Sequence, residues 1–161
     1  MAAASIRRTN QLLSRATAAA GSSASTRRSL STTPAVTVLS VPDEQRISFG
    51  DGKQPTPYDL LMASLGSCTS NALLGHAQQE NLLLEGVEVA LDHATARAER
   101  TDVEGTSTTF ECFTRDITVH GDTTADDREG LLRVANSCPV YTTLASSSVV
   151  SIESTLVPAT T

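Results

Sequence analysis

The sequence predicts an α+β domain with antiparallel strand pairing. Three observations carry this prediction: alternating runs that come in pairs, one long apolar helix between the pairs, and the order ββ-α-ββ-α-β with no βαβ rhythm. A chain of 161 residues accommodates one domain with a core of its own. No apolar stretch reaches the roughly 18 residues that a membrane-spanning helix requires. The longest, Leu60 to Leu74, is interrupted by Ser64, Ser67, Thr69, Ser70 and Asn71.

The N-terminal stretch stands apart. Residues 1–42 carry Arg7, Arg8, Arg15, Arg27 and Arg28 and no acidic residue, whereas the remainder has seven basic against eighteen acidic residues. An arginine-, serine- and alanine-rich segment without acids, with Ile6, Leu12 and Leu13 forming a short apolar face if helical, has the composition of an organelle transit peptide. The plainer alternative is a disordered basic tail. Arg28-Ser-Leu-Ser31 is similar to a mitochondrial processing site, so residues 1–33 are expected to be a disordered mitochondrial transit peptide and 34–161 the folded domain, placed in the matrix. The acidic domain and the lack of a glycine-rich phosphate loop argue against nucleic acid as a partner.

Within the domain, Val36–Val41 and Arg46–Phe49 read as a hairpin turned by Asp43-Glu-Gln45. A loop dense in glycine and proline follows. Thr56-Pro57 then supplies a cap and a first-position proline for a helix from about 57 to 80, apolar around most of its girth. Residues 87–97 alternate as a strand, Asp102-Val-Glu-Gly105 turns, and 108–120 alternate again, with Phe113, Arg115, Ile117 and Val119 on one face. Thr124 and the acids after it start a second helix near 124–137, which Pro139 stops. A turn through Thr142–Leu144 leads to a last strand at 149–157.

Three cysteines make no disulfide framework, and their number fits a reducing compartment with a reactive or transient disulfide better than secretion. Cys68 lies on the apolar helix, Cys138 precedes a helix-ending proline, and their settings suggest a thiol redox pair. Cys112, mid-strand, reads as a structural thiol. His76 lies two turns beyond Cys68, out of its reach, and His93 and His120 fall on strand positions. Scattered histidines without a Cys-x-x-Cys provide no zinc pattern, and no cofactor motif is present.

Four phrases resemble one family. Pro55-Thr-Pro-Tyr-Asp-Leu-Leu-Met-Ala-Ser-Leu-Gly-Ser-Cys68-Thr resembles the first cysteine phrase of the osmotically inducible protein C and organic hydroperoxide resistance (OsmC/Ohr) family. Leu84-Glu-Gly-Val-Glu-Val89, Ile117-Thr-Val-His-Gly-Asp122 and Ala135-Asn-Ser-Cys-Pro-Val-Tyr-Thr-Thr-Leu144 are similar to its later phrases, in the same order, over residues 36–157. The similarity is closest to the small OsmC-like branch. It implies an OsmC-like α+β fold, antiparallel sheets wrapped around two central helices, in an intertwined homodimer with active sites at the subunit interface. It also implies a thiol-dependent peroxidase of oxidative-stress defence. Cys68 would be peroxidatic, Cys138 resolving, and an organic hydroperoxide the substrate. An external dithiol, lipoyl groups by analogy, would be the reductant.

The same resemblance places an arginine on the early hairpin and a glutamate ten residues before the peroxidatic cysteine. Here the hairpin arginine is Arg46, the position ten before Cys68 is Tyr58, and the nearest acid is Asp59. A one-residue shift turns a helical side chain by about 100°. Arg46 and Asp59 are therefore candidate activating residues, each with a plainer reading: Arg46 as a solvated strand residue, Asp59 as a first-turn acid. The departure keeps a second functional class open, a non-catalytic dimer that binds a small apolar ligand or senses redox state. A third, a cysteine acyl-transfer or thioesterase enzyme, lacks a histidine base at suitable spacing.

Overall fold

Hairpins and helix caps build the architecture. In the computed structural model, residues 34–50, 52, 54–99 and 107–159 are described. The expected transit peptide and the Asp102–Gly105 turn lie outside the described residues. Strands β1 (Val36–Val41) and β2 (Glu44–Phe49) pair antiparallel, with Val41 opposite Glu44 across a turn at Pro42-Asp43. Helix α1 spans Pro57–Glu80, as its cap predicts. Thr56 Oγ1 accepts the Asp59 N–H at 3.2 Å, and the Asp59 carboxylate accepts the Thr56 N–H at 2.7 Å. This reciprocal capping box satisfies two of the donors that a helix start leaves open. Asn81 ends the helix in the left-handed region at φ 56.

Strands β3 (Leu84–Glu99) and β4 (Ser107–Gly121) form a long antiparallel pair. Alternation sends Val87, Val89 and Leu91 of β3 and Phe113, Arg115, Ile117 and Val119 of β4 to one face, all buried. Against that face lies α1, through Met62, Ala63, Leu65, Leu73 and other residues at three- and four-residue steps. Gly66 makes this approach possible, since a Cβ there would stand 2.7 Å from Val38 Cγ2 and 2.9 Å from Leu91 Cδ1.

Helix α2 (Ala125–Ala135) starts on a second capping box, Thr124 with Asp127. A third helix, α3 (Pro139–Ala145), replaces the expected turn. Pro139 both ends one helix and opens the next, because its fixed φ suits a first helical position and its missing N–H costs nothing there. Strand β5 (Val150–Pro158) then closes a five-stranded sheet of order β2-β1-β3-β4-β5.

Two expectations are corrected here. The described strands form one sheet, and it is mixed, because β5 runs parallel to β4. Among the described residues three helices stand where two were expected. Both corrections have one cause: the connection through α2 and α3 is long enough to carry the chain back to the end where β4 began, as a parallel pairing requires.

Candidate active site

Cys68 sits in the middle of α1, half-buried, and Cys138 is the N-cap of α3, 2 % exposed. The fold sets the elements that carry them side by side: Cys138 Sγ is within contact distance of the hydroxyl of Thr69, the residue after Cys68. Both are free thiols. The Cys138 Sγ accepts the backbone N–H of Tyr141 at 3.4 Å and stands 3.9 Å from Thr69 Oγ1. Burial pushes the Cys68 thiol up from its ordinary pKa, the backbone N–H of Val140 pulls it back, Cys138 pushes it up again by hydrogen bonding and charge, and Arg115 lowers it.

Arg115 is the residue that sequence reasoning left unused. It projects inward from β4 and is fully buried. Its Nη1 donates to Thr69 Oγ1 at 2.9 Å and to the Ala135 carbonyl at 3.1 Å. Its Nη2 donates to Asn136 Oδ1 and, at 2.9 Å, to Ser154 Oγ. The guanidinium carbon lies 4.7 Å from the centroid of the Tyr141 ring, a cation–π contact. Burial lowers the Arg115 pKa, opposed by Cys138, Tyr141 and Cys68. The signal was present in the alternation, which put a lone charge among Phe113, Ile117 and Val119. Such a residue is seldom fully buried without a partner.

The hairpin arginine and the acid lie elsewhere. Arg46 pairs with Glu44 at 2.9 Å, and its side chain is 70 % exposed. Asp59 is engaged with Thr56 in the cap of α1. Neither forms a hydrogen bond or ion pair with either thiol or with the other. The hairpin touches the helix next to Cys68 through another side chain: Gln45 bonds Ser67, Ser40 and Ser70. Tyr58, where the resemblance places an acid, stacks on His93 at 4.0 Å between centroids, and His93 bonds Glu111 at 2.6 Å. Cys112 is partly buried on β4. Among the described residues no cluster of three or more His, Cys, Asp or Glu could hold a metal ion.

This arrangement suits thiol chemistry. Two thiols on neighbouring elements, one of them partly exposed, lie in a buried setting that raises the Cys68 pKa, while the Val140 N–H and the Arg115 guanidinium act against that rise and toward the thiolate, the nucleophilic form.

Comparison with known proteins yields one family match: the family described as OsmC-like protein matches residues 50–153, more than half of the chain. No curated protein matches. Among solved structures, an OsmC-like protein from Mycoplasma pneumoniae is 14% identical, over 77% of this chain and 96% of that one, with a TM-score of 0.49. The organic hydroperoxide resistance protein OhrB of Bacillus subtilis is 14% identical over 74% of this chain and 96% of its own, at a TM-score of 0.46. An organic hydroperoxide resistance protein OsmC from Legionella pneumophila is 14% identical over 80% and 98%, at 0.47.

Proposed function

Because the chain belongs to the OsmC-like family, we propose that it is a thiol-dependent peroxidase that reduces organic hydroperoxides through Cys68 and Cys138. The single observation that supports this reading is that the middle of α1 and the head of α3 pack together, with Cys138 Sγ 3.9 Å from the hydroxyl of Thr69, the residue after Cys68. Cys68, the more exposed, attacks as a thiolate on the terminal oxygen of the hydroperoxide. The O–O bond breaks, the alcohol leaves with a proton, and Cys68 becomes a sulfenic acid. The Cys138 sulfur then attacks Cys68, water leaves, and a disulfide remains. An external dithiol, lipoyl groups by analogy, returns the pair to thiols by exchange. Cys68 packs against the apolar core, a setting suited to alkyl hydroperoxides. The homodimer belongs to this proposal. Leu39 and Val41 on the outward side of β1 are 37% and 38% exposed, an apolar pair that a second copy would cover.

Arg46 and Asp59 remain candidate activating residues within this reading, and their engagement with Glu44 and Thr56 favours the second one. In that second reading the protein is a non-catalytic dimer that binds an apolar ligand or senses redox state. Turnover separates the two. Purified protein with cumene hydroperoxide and dithiothreitol should consume the peroxide. Cys68→Ser should reduce the rate to background, and Cys138→Ser should let a dimedone-reactive sulfenic acid accumulate. No turnover, with no Cys68–Cys138 disulfide by mass spectrometry, overturns the peroxidase.

A further inference from the structure

We infer that Arg115 is the positioning residue of Cys138: it clamps both flanks of that cysteine to Thr69, the residue after Cys68, and so sets how fast Cys138 resolves a sulfur adduct on Cys68. The inference rests on the reading of these cysteines as a thiol pair.

The Cys138 side chain has little hold of its own. Its Sγ accepts the Tyr141 N–H at 3.4 Å and stands 3.9 Å from Thr69 Oγ1, both long contacts. Its backbone closes the short junction between α2, which ends at Ala135, and α3, which starts at Pro139. Arg115 grips that junction on both sides of the cysteine. Before it, Nη1 donates to the Ala135 carbonyl at 3.1 Å and Nη2 to Asn136 Oδ1. After it, the guanidinium lies 4.7 Å from the Tyr141 ring centroid. The same Nη1 donates at 2.9 Å to Thr69 Oγ1, the hydroxyl that Cys138 Sγ faces. One planar group therefore ties the junction to α1. Its anchor is rigid, because β4 is paired on both sides, with Arg115 opposite Leu91 of β3 and Ser154 of β5, and Ser154 Oγ accepts from Nη2 at 2.9 Å. A guanidinium fork fixes several acceptors in one plane, which an ammonium on a flexible stem does not.

Position matters because a thiol resolves an adduct by direct attack on sulfur, and a misplacement of about 1 Å can cost on the order of a hundredfold in rate. Dithiobis-nitrobenzoate, an aromatic disulfide, isolates that step without peroxide. Cys68 attacks it as a thiolate, the reagent's S–S bond breaks, one thionitrobenzoate leaves, and Cys68 carries the other half as a mixed disulfide. Cys138 then gives its proton to solvent and attacks the Cys68 sulfur. The second thionitrobenzoate leaves with the electron pair of the broken bond, and a Cys68–Cys138 disulfide remains.

The test follows both releases in full-length protein with equimolar reagent, in a Cys112→Ser background. The first release scales with reagent concentration and the second does not. Arg115→Met should slow the second at least tenfold relative to the first. Arg115→Lys, which keeps the charge and loses the fork, should not restore it. Asn136→Ala, which keeps the guanidinium and removes one hold on the junction, should slow it about threefold or more. The slowing should persist from pH 7 to 9.5, across the ordinary thiol range near 8.5, because ionising a misplaced sulfur does not move it. Recovery in Arg115→Lys, or in Arg115→Met at high pH, makes the effect one of charge and overturns the inference. Equal slowing of both releases, or of neither, also overturns it. If the Arg115 variants fail to fold, Asn136→Ala decides, and a wild-type second release in it overturns the clamp. A wild-type protein without a second release removes the pair and the inference together. The expected pattern in a protein that turns over no hydroperoxide leaves Arg115's role intact and removes the peroxidase reading instead.

Discussion

At the scale of single residues, the same side-chain type takes different roles according to what the fold sets against it. Asp59 and Asp127 both close capping boxes at helix starts, a role readable from the Thr-x-x-Asp spacing because donor and acceptor are three residues apart. Glu111 is different. Its partners His93 and Thr95 lie across the β3–β4 pairing, with Tyr58 arriving from α1. The hydrogen bond from His93, helped by Thr95 and the His93 charge, lowers the Glu111 pKa despite opposing desolvation. A carboxylate lowered in the folded state adds stability above its ordinary pKa of about 4.3, and that stability is lost as pH falls through the lowered value. Glu111→Gln should therefore reduce stability at pH 7 and weaken the loss of stability below pH 4.5. Urea titrations from pH 3 to 7 measure this, and parallel acid limbs for the two proteins would contradict it.

Elements show where local signals suffice and where they compete. Pro57 and Thr56 announce α1, and the helix occupies the predicted span. Pro139 sends two messages, since it ends α2 and serves as the first residue of α3. A seven-residue helix is too short for a periodic pattern to reveal it, and its N-cap is a cysteine, a residue whose sulfur seldom signals a cap. The contact between elements is set by Gly66, over which Val38 and Leu91 close. Gly66→Ala forces a methyl into occupied space, an overpacking that typically costs about 1–3 kcal/mol. Its unfolding midpoint in urea should fall with an unchanged m-value. A midpoint equal to wild type would show that α1 does not lie that close to the sheet.

For the molecule as a whole, charge separates residues 1–42 from the acidic remainder. The proposed mitochondrial address predicts that residues 1–33 fused to a fluorescent reporter will carry it into mitochondria, and that replacing Arg7, Arg8 and Arg15 with Gln will leave the reporter in the cytosol. A diffuse reporter with the native segment would remove the matrix assignment. The α+β class, the long central helix and the strand order along the chain were legible because they depend on periodicity and capping over a few neighbouring residues. The two cysteine phrases, together with two others, also sufficed to reach the family that the comparison returned. What the sequence alone could not decide was the direction of β5, which depends on how far α2 and α3 carry the chain before it re-enters the sheet. Nor could it decide which arginine stands beside the thiols. Arg46 lies nearer to Cys68 along the chain, yet its strand spends it on Glu44, while Arg115 arrives from β4 across the core. Spacing along a chain encodes rotation about a helix or the side of a strand, but proximity between elements exists only once packing has chosen their faces.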